Sequence, residues 1–167
     1  GGFACNKYAI VRDYDRAAPL GTGRYKVGGN YAASLRAHMF AASKGYGSEF
    51  YLDAKEKKYV DECGAANFFG IKNNTYVTPK STSILPSITN KSLQQLAIEM
   101  GMQVEARQIP LEELTTFEEA GACGTAAVIS PVGKIYDHGK EICFPSGMDE
   151  MGPTIKKLYD TLTGIQM

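Results

Sequence analysis

A pair of asparagines, Asn73-Asn74, places the strongest single constraint on how this chain folds. The pair joins two segments rich in aromatic and β-branched residues, NFFGIK (67–72) and TYVT (75–78), as is typical of strands. Asparagine tolerates the positive φ angles of a two-residue turn, so we predict an antiparallel hairpin here. Two more strand-like segments, EFYLD (49–53) and KYVDEC (58–63), come just before it. The middle of the chain is therefore predicted to consist of short strands.

A segment with helical periodicity precedes these strands. In ASLRAHMFAASKG (33–45), Leu35, Met39 and Ala42 recur at helical spacing, and Gly45 is a typical stop. We predict a helix here with those three residues on its buried face.

Helical patterns also follow the strands. Residues 89–100 are amphipathic and end at Gly101, and a last amphipathic helix is predicted from Pro153. Pro110 suits the first turn of a third predicted helix, the acidic LEELTTFEEA (111–120). Because strands and helices alternate, we predict a mixed α and β domain. Further strand-like segments are 8–11, QVEARQI (103–109), TAAVIS (125–130) and KIYDH (134–138).

The composition of the 167-residue chain excludes some classes of partner. Eighteen basic and eighteen acidic side chains give a formal net charge of zero, so no positive excess favours nucleic acid or an anionic membrane. No apolar run reaches the ~20 residues that span a bilayer. Scattered cysteines without close pairs predict free buried thiols and no metal site, and free thiols are typical of the cytoplasm. The four are Cys5, Cys63, Cys123 and Cys143.

RYKVGGNY (24–31) combines a lysine with two glycines, but in the wrong order for a P-loop. A P-loop has its glycines first and a Ser or Thr directly after its lysine, whereas Lys26 precedes the glycine pair. Lys26 could be a solvated turn residue. Alternatively, it could form a Schiff base beside Tyr31, with the glycines leaving room for a flat cofactor.

Glu62 lies in DECGAANFFG (61–70), among residues with small side chains. A carboxylate at a strand end could simply face water. With only small neighbours, however, it could face a cavity and pair with a cationic ring nitrogen.

Two stretches could bind an anion through backbone amides. Ser87, Ile88 and Thr89 precede a predicted helix, where the N–H groups have no intrahelical partner. Ser87 or Thr89 could be an ordinary N-cap, or the amides could hold a phosphate. In GACGTAAVISP (121–131), the Gly-Thr step could be a tight bend, or it could present amides and the Thr125 hydroxyl as a second anion site.

A lysine, a carboxylate and two anion sites among small residues are what a phosphorylated aldehyde cofactor requires. From about residue 14 to its C-terminus, the chain resembles the pyridoxal-phosphate enzymes of fold type IV, specifically the branched-chain amino-acid aminotransferases. Glu62, Gly64, Asn67 and Phe69 match the class signature, and KVGGNYAASL is similar to the branched-chain members. The resemblance implies a mixed α and β fold with a short-stranded, barrel-like β core flanked by helices. Its other motifs are RAAPLGTGRYKVGGNYAASL, ECGAANFF, TPKSTSILPSIT, GTAAVISPVG and MGPTIKKLYDTLTGIQ.

The resemblance assigns cofactor-binding roles to three side chains. Lys26 corresponds to the catalytic lysine that binds pyridoxal 5′-phosphate as a Schiff base and then transfers protons. Tyr31 corresponds to the tyrosine that contacts the phenolic oxygen of the cofactor. Glu62 corresponds to the glutamate that pairs with the pyridine nitrogen.

The resemblance also implies where anions bind. The cofactor phosphate is expected at Ile88, Thr89 and Thr125, and the substrate carboxylate near Thr125 and Ala126. The implied reaction moves the amino group of Leu, Ile or Val to 2-oxoglutarate by a ping-pong route. The expected partners are amino-acid and 2-oxo-acid substrates and a second copy of the chain.

Two departures from the family pattern modify these expectations. The class pattern usually has a basic residue after the Ile-Thr pair, where this chain has Asn90. Residues 1–167 correspond to the large C-terminal domain alone, without the small N-terminal domain that closes the substrate pocket, so we expect the isolated domain to be impaired. Alternatives are another type IV enzyme, such as a D-amino-acid aminotransferase or an aminodeoxychorismate lyase, or a non-catalytic binding or dimerisation fragment.

Overall fold

The computed structural model describes residues 6–10, 37–46, 48–53, 56–63, 66–80, 88–124, 128–137, 139–145 and 152–166. Their strands are β1 (Asn6–Ile10), β2 (Ser48–Leu52), β3 (Val60–Cys63), β4 (Ala66–Lys72), β5 (Thr75–Pro79), β6 (Gln103–Arg107), β7 (Glu119–Gly124), β8 (Val128–Asp137) and β9 (Lys140–Cys143). Their helices are α1 (helical residues 37–43), α2 (Ile88–Glu99) and α3 (Pro153–Gln166), with a 3-10 helix at Leu111–Thr116.

All nine of these strands belong to one sheet, which curls back on itself. The order is β3-β2-β1-β8-β7-β4-β5-β6, with β9 paired to β8 and an additional pairing of β3 with β4. Because of that additional pairing, six strands (β3, β2, β1, β8, β7 and β4) form a closed ring. The sheet is therefore a short-stranded barrel extended at one side by β5 and β6, as predicted.

The hairpin of β4 and β5 has the predicted turn. Asn73 and Asn74 adopt φ angles of 49° and 56°, and Lys72 pairs with Thr75 across the turn. The turn is also held from outside, because the backbone N–H of Asn73 donates to the Glu118 carboxylate at 2.8 Å. Local turn chemistry thus fixes the register of the two strands.

The interior of the barrel is an apolar core. The Phe68 ring meets two other rings edge to face there. The centroid separation is 5.3 Å to Phe50 and 6.2 Å to Phe117. A Cβ on Gly70 would lie 2.6 Å from the Phe117 ring, so only glycine admits the aromatic ring at that point. The rest of this core includes Ile10, Leu52, Val60, Val77, Ile109, Leu114, Val132, Ile135 and Phe144.

A second core lies between the sheet and two helices. Leu93, Leu96 and Ala97 of α2 are buried there, as the amphipathic pattern predicts. From α3, the core receives Ile155, Leu158 and Leu162. Residues of β4, β5, β7 and β8 form the sheet side of this core; they are Phe69, Ile71, Tyr76, Cys123 and Ile129. The helices therefore cover one side of the β4, β5 and β7 strands.

The buried face of α1 differs from the prediction. Met39 is 62% exposed and Ala42 is also exposed, whereas Ala37 and Ala41 are fully buried. The small alanines allow a close approach to the sheet, where Ala37 packs with Tyr51 of β2. Leu35 lies outside the described residues. Gly45 has a φ of 85°, which agrees with its predicted role in ending the helix.

The acidic segment 111–120 does not form the predicted α-helix. A 3-10 helix spans Leu111–Thr116, and β7 begins at Glu119. Phe117 is buried in the barrel, and the next residues pair with β4, so sheet pairing outweighs helix propensity here. The prediction also missed β7 and β9 as strands, and it divided the single strand β8 into two.

Candidate active site

Four of the predicted site residues lie outside the described part of the chain. Lys26 and Tyr31 lie in segment 11–36, and Thr125 and Ala126 lie in segment 125–127. Their roles stay predictions. Glu62 lies on β3, and Ile88 and Thr89 begin α2, so these elements define the part of the site that the structure describes.

The register of three strands brings two class-signature residues, Glu62 and Asn67, level with Cys123 of β7. Glu62 on β3 pairs with Asn67 on β4, and Asn67 pairs with Cys123 on β7. Asn67 is buried, with 7% exposure. Thr125 follows Cys123 by two positions in the sequence. Glu62 thus lies on a strand that is joined through Asn67 to β7 near Gly124, the last described residue before Thr125.

The start of α2 is joined to β5 by a chain of side-chain hydrogen bonds. The Tyr76 hydroxyl donates to Asn90 Oδ1 at 2.7 Å, and Asn90 Nδ2 donates to Thr78 Oγ1 at 3.1 Å. The Thr78 hydroxyl in turn donates to the carbonyl oxygen of Phe68 at 3.0 Å. These contacts fix the first turn of α2 against the strand that precedes it.

Tyr76 also links this network to β7. Its ring stacks on Phe69 with a centroid separation of 4.7 Å, and it shares a buried apolar core with Cys123 of β7. Burial raises the pKa of Cys123 to about 12. Burial likewise holds the pKa of Tyr76 well above its usual value. Both groups therefore stay neutral at physiological pH, and Cys123 is not an activated nucleophile.

The start of α2 has the chemistry that a phosphate requires. The N–H groups of a helix's first turn have no intrahelical acceptor, and the helix dipole favours an anion there. No acidic side chain lies in the first turn of α2, and the Ile88 side chain is 86% exposed. An approaching anion therefore meets no fixed negative charge on this turn. The described donor set fits the phosphate of pyridoxal phosphate.

No other feature of the described residues offers an alternative site for this cofactor. A surface pocket of about 510 Å³ lies beside the start of β3, but none of the predicted site residues lines it. Within the described ranges, no cluster of three or more His, Cys, Asp or Glu side chains is arranged to hold a metal ion. The helices described here are also too short or too polar to cross a membrane. The pocket is lined by Lys57, Lys58, Tyr59, Pro110, Leu111 and Glu112.

Sequence reasoning missed Tyr76 and Thr78 and noted Asn90 only as a departure from a pattern. The alternation in TYVT (75–78) places Tyr76 and Thr78 on one face of the strand, which was a usable signal. Their contact with α2 depends on how the helix docks, which the local sequence does not specify.

Comparison with known proteins supports the same interpretation. Residues 5–135 match the family described as Amino-transferase class IV. A branched-chain-amino-acid aminotransferase of Haemophilus influenzae is 53% identical over 173 residues, covering 99% of this chain and 50% of that protein. The chain thus spans about half the length of the curated relatives that it matches.

Solved structures confirm the predicted fold. The branched-chain amino acid aminotransferase of Escherichia coli superposes with a TM-score of 0.84 at 32% identity, covering 98% of this chain and 53% of that chain. The enzyme of the same name from Thermobaculum terrenum, in its PLP form, gives a TM-score of 0.84 at 27% identity, covering 96% of this chain and 50% of that chain.

Proposed function

Because the chain belongs to the class IV aminotransferases, we propose that it is the pyridoxal-phosphate-binding domain of a branched-chain amino-acid aminotransferase. The observation that carries this proposal is the 53% identity to such an enzyme across nearly the whole chain. A small N-terminal domain would complete the protein, which would act as a cytoplasmic homodimer. The isolated 167-residue domain would then have little or no activity of its own.

The proposed cofactor would be held at both ends by residues of this chain. The backbone amides of Ile88 and Thr89, together with the Thr125 hydroxyl, would bind its phosphate. Glu62 would keep a proton on the pyridine nitrogen, and Tyr31 would contact the phenolic oxygen. When bound, pyridoxal phosphate supplies an aldehyde that exchanges amino groups and a ring that accepts electrons.

The other steps would be performed by protein groups. Lys26 would bind the cofactor covalently at rest, and its freed amine would then take the proton from Cα of the amino acid. Amides at Thr125 and Ala126 would orient the substrate carboxylate. Leu, Ile or Val would donate the amino group and 2-oxoglutarate would accept it, in two half-reactions that share the site in turn.

The experiment that tests the proposal is titration of the chain with pyridoxal phosphate. We expect an imine absorbance band that Lys26→Ala abolishes and that Lys44→Ala, at an exposed lysine, leaves intact. A band that survives Lys26→Ala would overturn the assigned role. Amino transfer from leucine to 2-oxoglutarate should appear when the N-terminal half of a curated relative is joined to the chain. Transfer from D-alanine instead would show that the substrate assignment is wrong.

A further inference from the structure

The hydrogen bonds at Asn90 require both the oxygen and the nitrogen of its carboxamide group. Its Oδ1 accepts from the Tyr76 hydroxyl at 2.7 Å, while its Nδ2 donates to Thr78 Oγ1 at 3.1 Å. An ionised carboxylate of the same shape could accept but not donate, and an ammonium group could donate but not accept. The surroundings of position 90 therefore select a side chain that does both.

Tyr76 and Thr78, which bond to Asn90, are themselves fixed. Tyr76 is fully buried and its ring lies 15° from parallel to the Phe69 ring. Phe69 is packed against Gly121, where a Cβ would lie 2.6 Å from its ring. Thr78 is 2% exposed and donates to the Phe68 carbonyl. Asn90 is thus attached to the rigid β4–β5 hairpin and, through Phe69, to β7.

This network connects the segments that carry the proposed phosphate ligands. Asn90 is the third residue of α2, directly after Ile88 and Thr89. The Tyr76 ring stacks on Phe69, which packs against Gly121 of β7, four positions before Thr125 in the sequence. Displacement of the first turn of α2 would therefore move the Ile88 and Thr89 amides relative to β7.

The geometry points to Asn90 as a positioning residue that sets affinity for the phosphate group of the cofactor, rather than for its ring. This inference rests on the proposed function, since it takes Ile88 and Thr89 as phosphate ligands. It predicts that breaking the network weakens binding of pyridoxal phosphate and leaves binding of pyridoxal, which has no phosphate, unchanged.

The test compares the dissociation constants of pyridoxal phosphate and pyridoxal for a set of variants. Asn90→Leu removes the hydrogen bonds to Tyr76 and Thr78 and should weaken the binding of pyridoxal phosphate about tenfold. Tyr76→Phe keeps the stack on Phe69, and Thr78→Val keeps the shape of the side chain. Each variant removes one hydroxyl and should weaken the binding of pyridoxal phosphate about threefold. Thr78→Ser retains the hydroxyl and should bind like the unsubstituted chain. Gln95→Leu is the control, because it makes the same kind of polar-to-apolar change on the exposed side of α2.

Two outcomes would overturn the inference. One is an equal loss of affinity for both ligands, which would indicate a general structural defect. The other is unchanged affinity in Tyr76→Phe and Thr78→Val, which remains decisive even if Asn90→Leu fails to fold. Failure of the proposed function itself gives a different result, because the unsubstituted chain would then prefer neither ligand and form no imine.

Discussion

Glu119, at the start of β7, accepts a hydrogen bond from the backbone N–H of Ile155, at the start of α3, at 2.8 Å. The same carboxylate accepts from the N–H of Thr154 at 3.2 Å, and it is only 5% exposed. A buried carboxylate thus satisfies two N–H groups of the first turn of the last helix. It joins the barrel to the helix that covers it.

We predict that Glu119→Ala destabilises the chain. Two helix N–H groups would lose their acceptor in a buried position, at a cost of about 1–3 kcal/mol in the free energy of unfolding. Denaturant unfolding measures this cost. Glu112→Gln, at an exposed position of the 3-10 helix, is the control and should change the free energy by less than ~0.5 kcal/mol. Equal stability of the two variants would show that the cap contributes nothing.

Alanine substitution at two glycines near and within α3 should have opposite effects. A Cβ on Gly152 would overlap the Glu119 carboxylate, so Gly152→Ala should cost about 1–3 kcal/mol. A Cβ on Gly164 would have nothing within 4 Å, and Gly164→Ala should stabilise the helix by up to ~1 kcal/mol. Thermal unfolding of both variants checks the prediction, and a loss of stability in both would contradict it.

Acid should weaken an ion-pair cluster centred on Glu113. Arg107 binds its two oxygens at 2.6 and 2.8 Å, and Lys72 lies 2.7 Å away. Hydrogen bonding to Arg107 lowers the pKa of Glu113 from 4.5 to about 2. Because the folded-state pKa is the lower one, this contribution is complete above about pH 4.5 and is lost as the pH falls toward 2.

Glu113→Gln isolates that contribution to stability. The variant should be less stable than the unsubstituted chain at neutral pH by about 1 kcal/mol, after allowance for partial exposure of the cluster. The difference should shrink as the pH falls from about 4.5, where the carboxylate of the unfolded chain binds a proton, to about 2, where that of the folded chain does. Unfolding by urea at several pH values gives both quantities. A difference that stays constant from neutral pH down to pH 2 would rule out the linkage.

Thiol labelling should separate the described cysteines. Cys143 is exposed, whereas Cys63 and Cys123 are buried, and burial raises the pKa of the Cys123 thiol to about 12. An alkylating reagent should therefore modify Cys143 quickly in the folded chain and Cys123 only after unfolding. Mass spectrometry of the labelled peptides identifies the sites, with the chain in denaturant as the control. Rapid labelling of Cys123 in the folded chain would be inconsistent with its buried position.

Local signals were sufficient to predict much of this fold. Asn73-Asn74 specified its hairpin because both residues tolerate the positive φ angles that the two-residue turn requires. The periodicity of α2 and α3 specified their buried faces because each lies on a single apolar core. The family resemblance supplied the barrel, which no local pattern contains.

The sequence predictions were wrong or incomplete for segments whose structure depends on tertiary contacts. EAGACG (119–124) shows no strand-like alternation of large apolar residues, because a small residue at Gly121 leaves room for the Phe69 ring. Met39 is the more hydrophobic candidate on α1, yet the buried positions are alanines that allow close packing. The bonds of Asn90 join residues 12 to 14 positions apart and depend on helix docking.

The central claim is that Lys26 carries the cofactor, and covalent trapping tests it most directly. The chain is treated with pyridoxal phosphate and reduced with borohydride, and its peptides are mapped by mass spectrometry. We predict that the phosphopyridoxyl group is found on the peptide containing Lys26. Label distributed over exposed lysines such as Lys44 and Lys91, with Lys26 unmodified, would contradict the account.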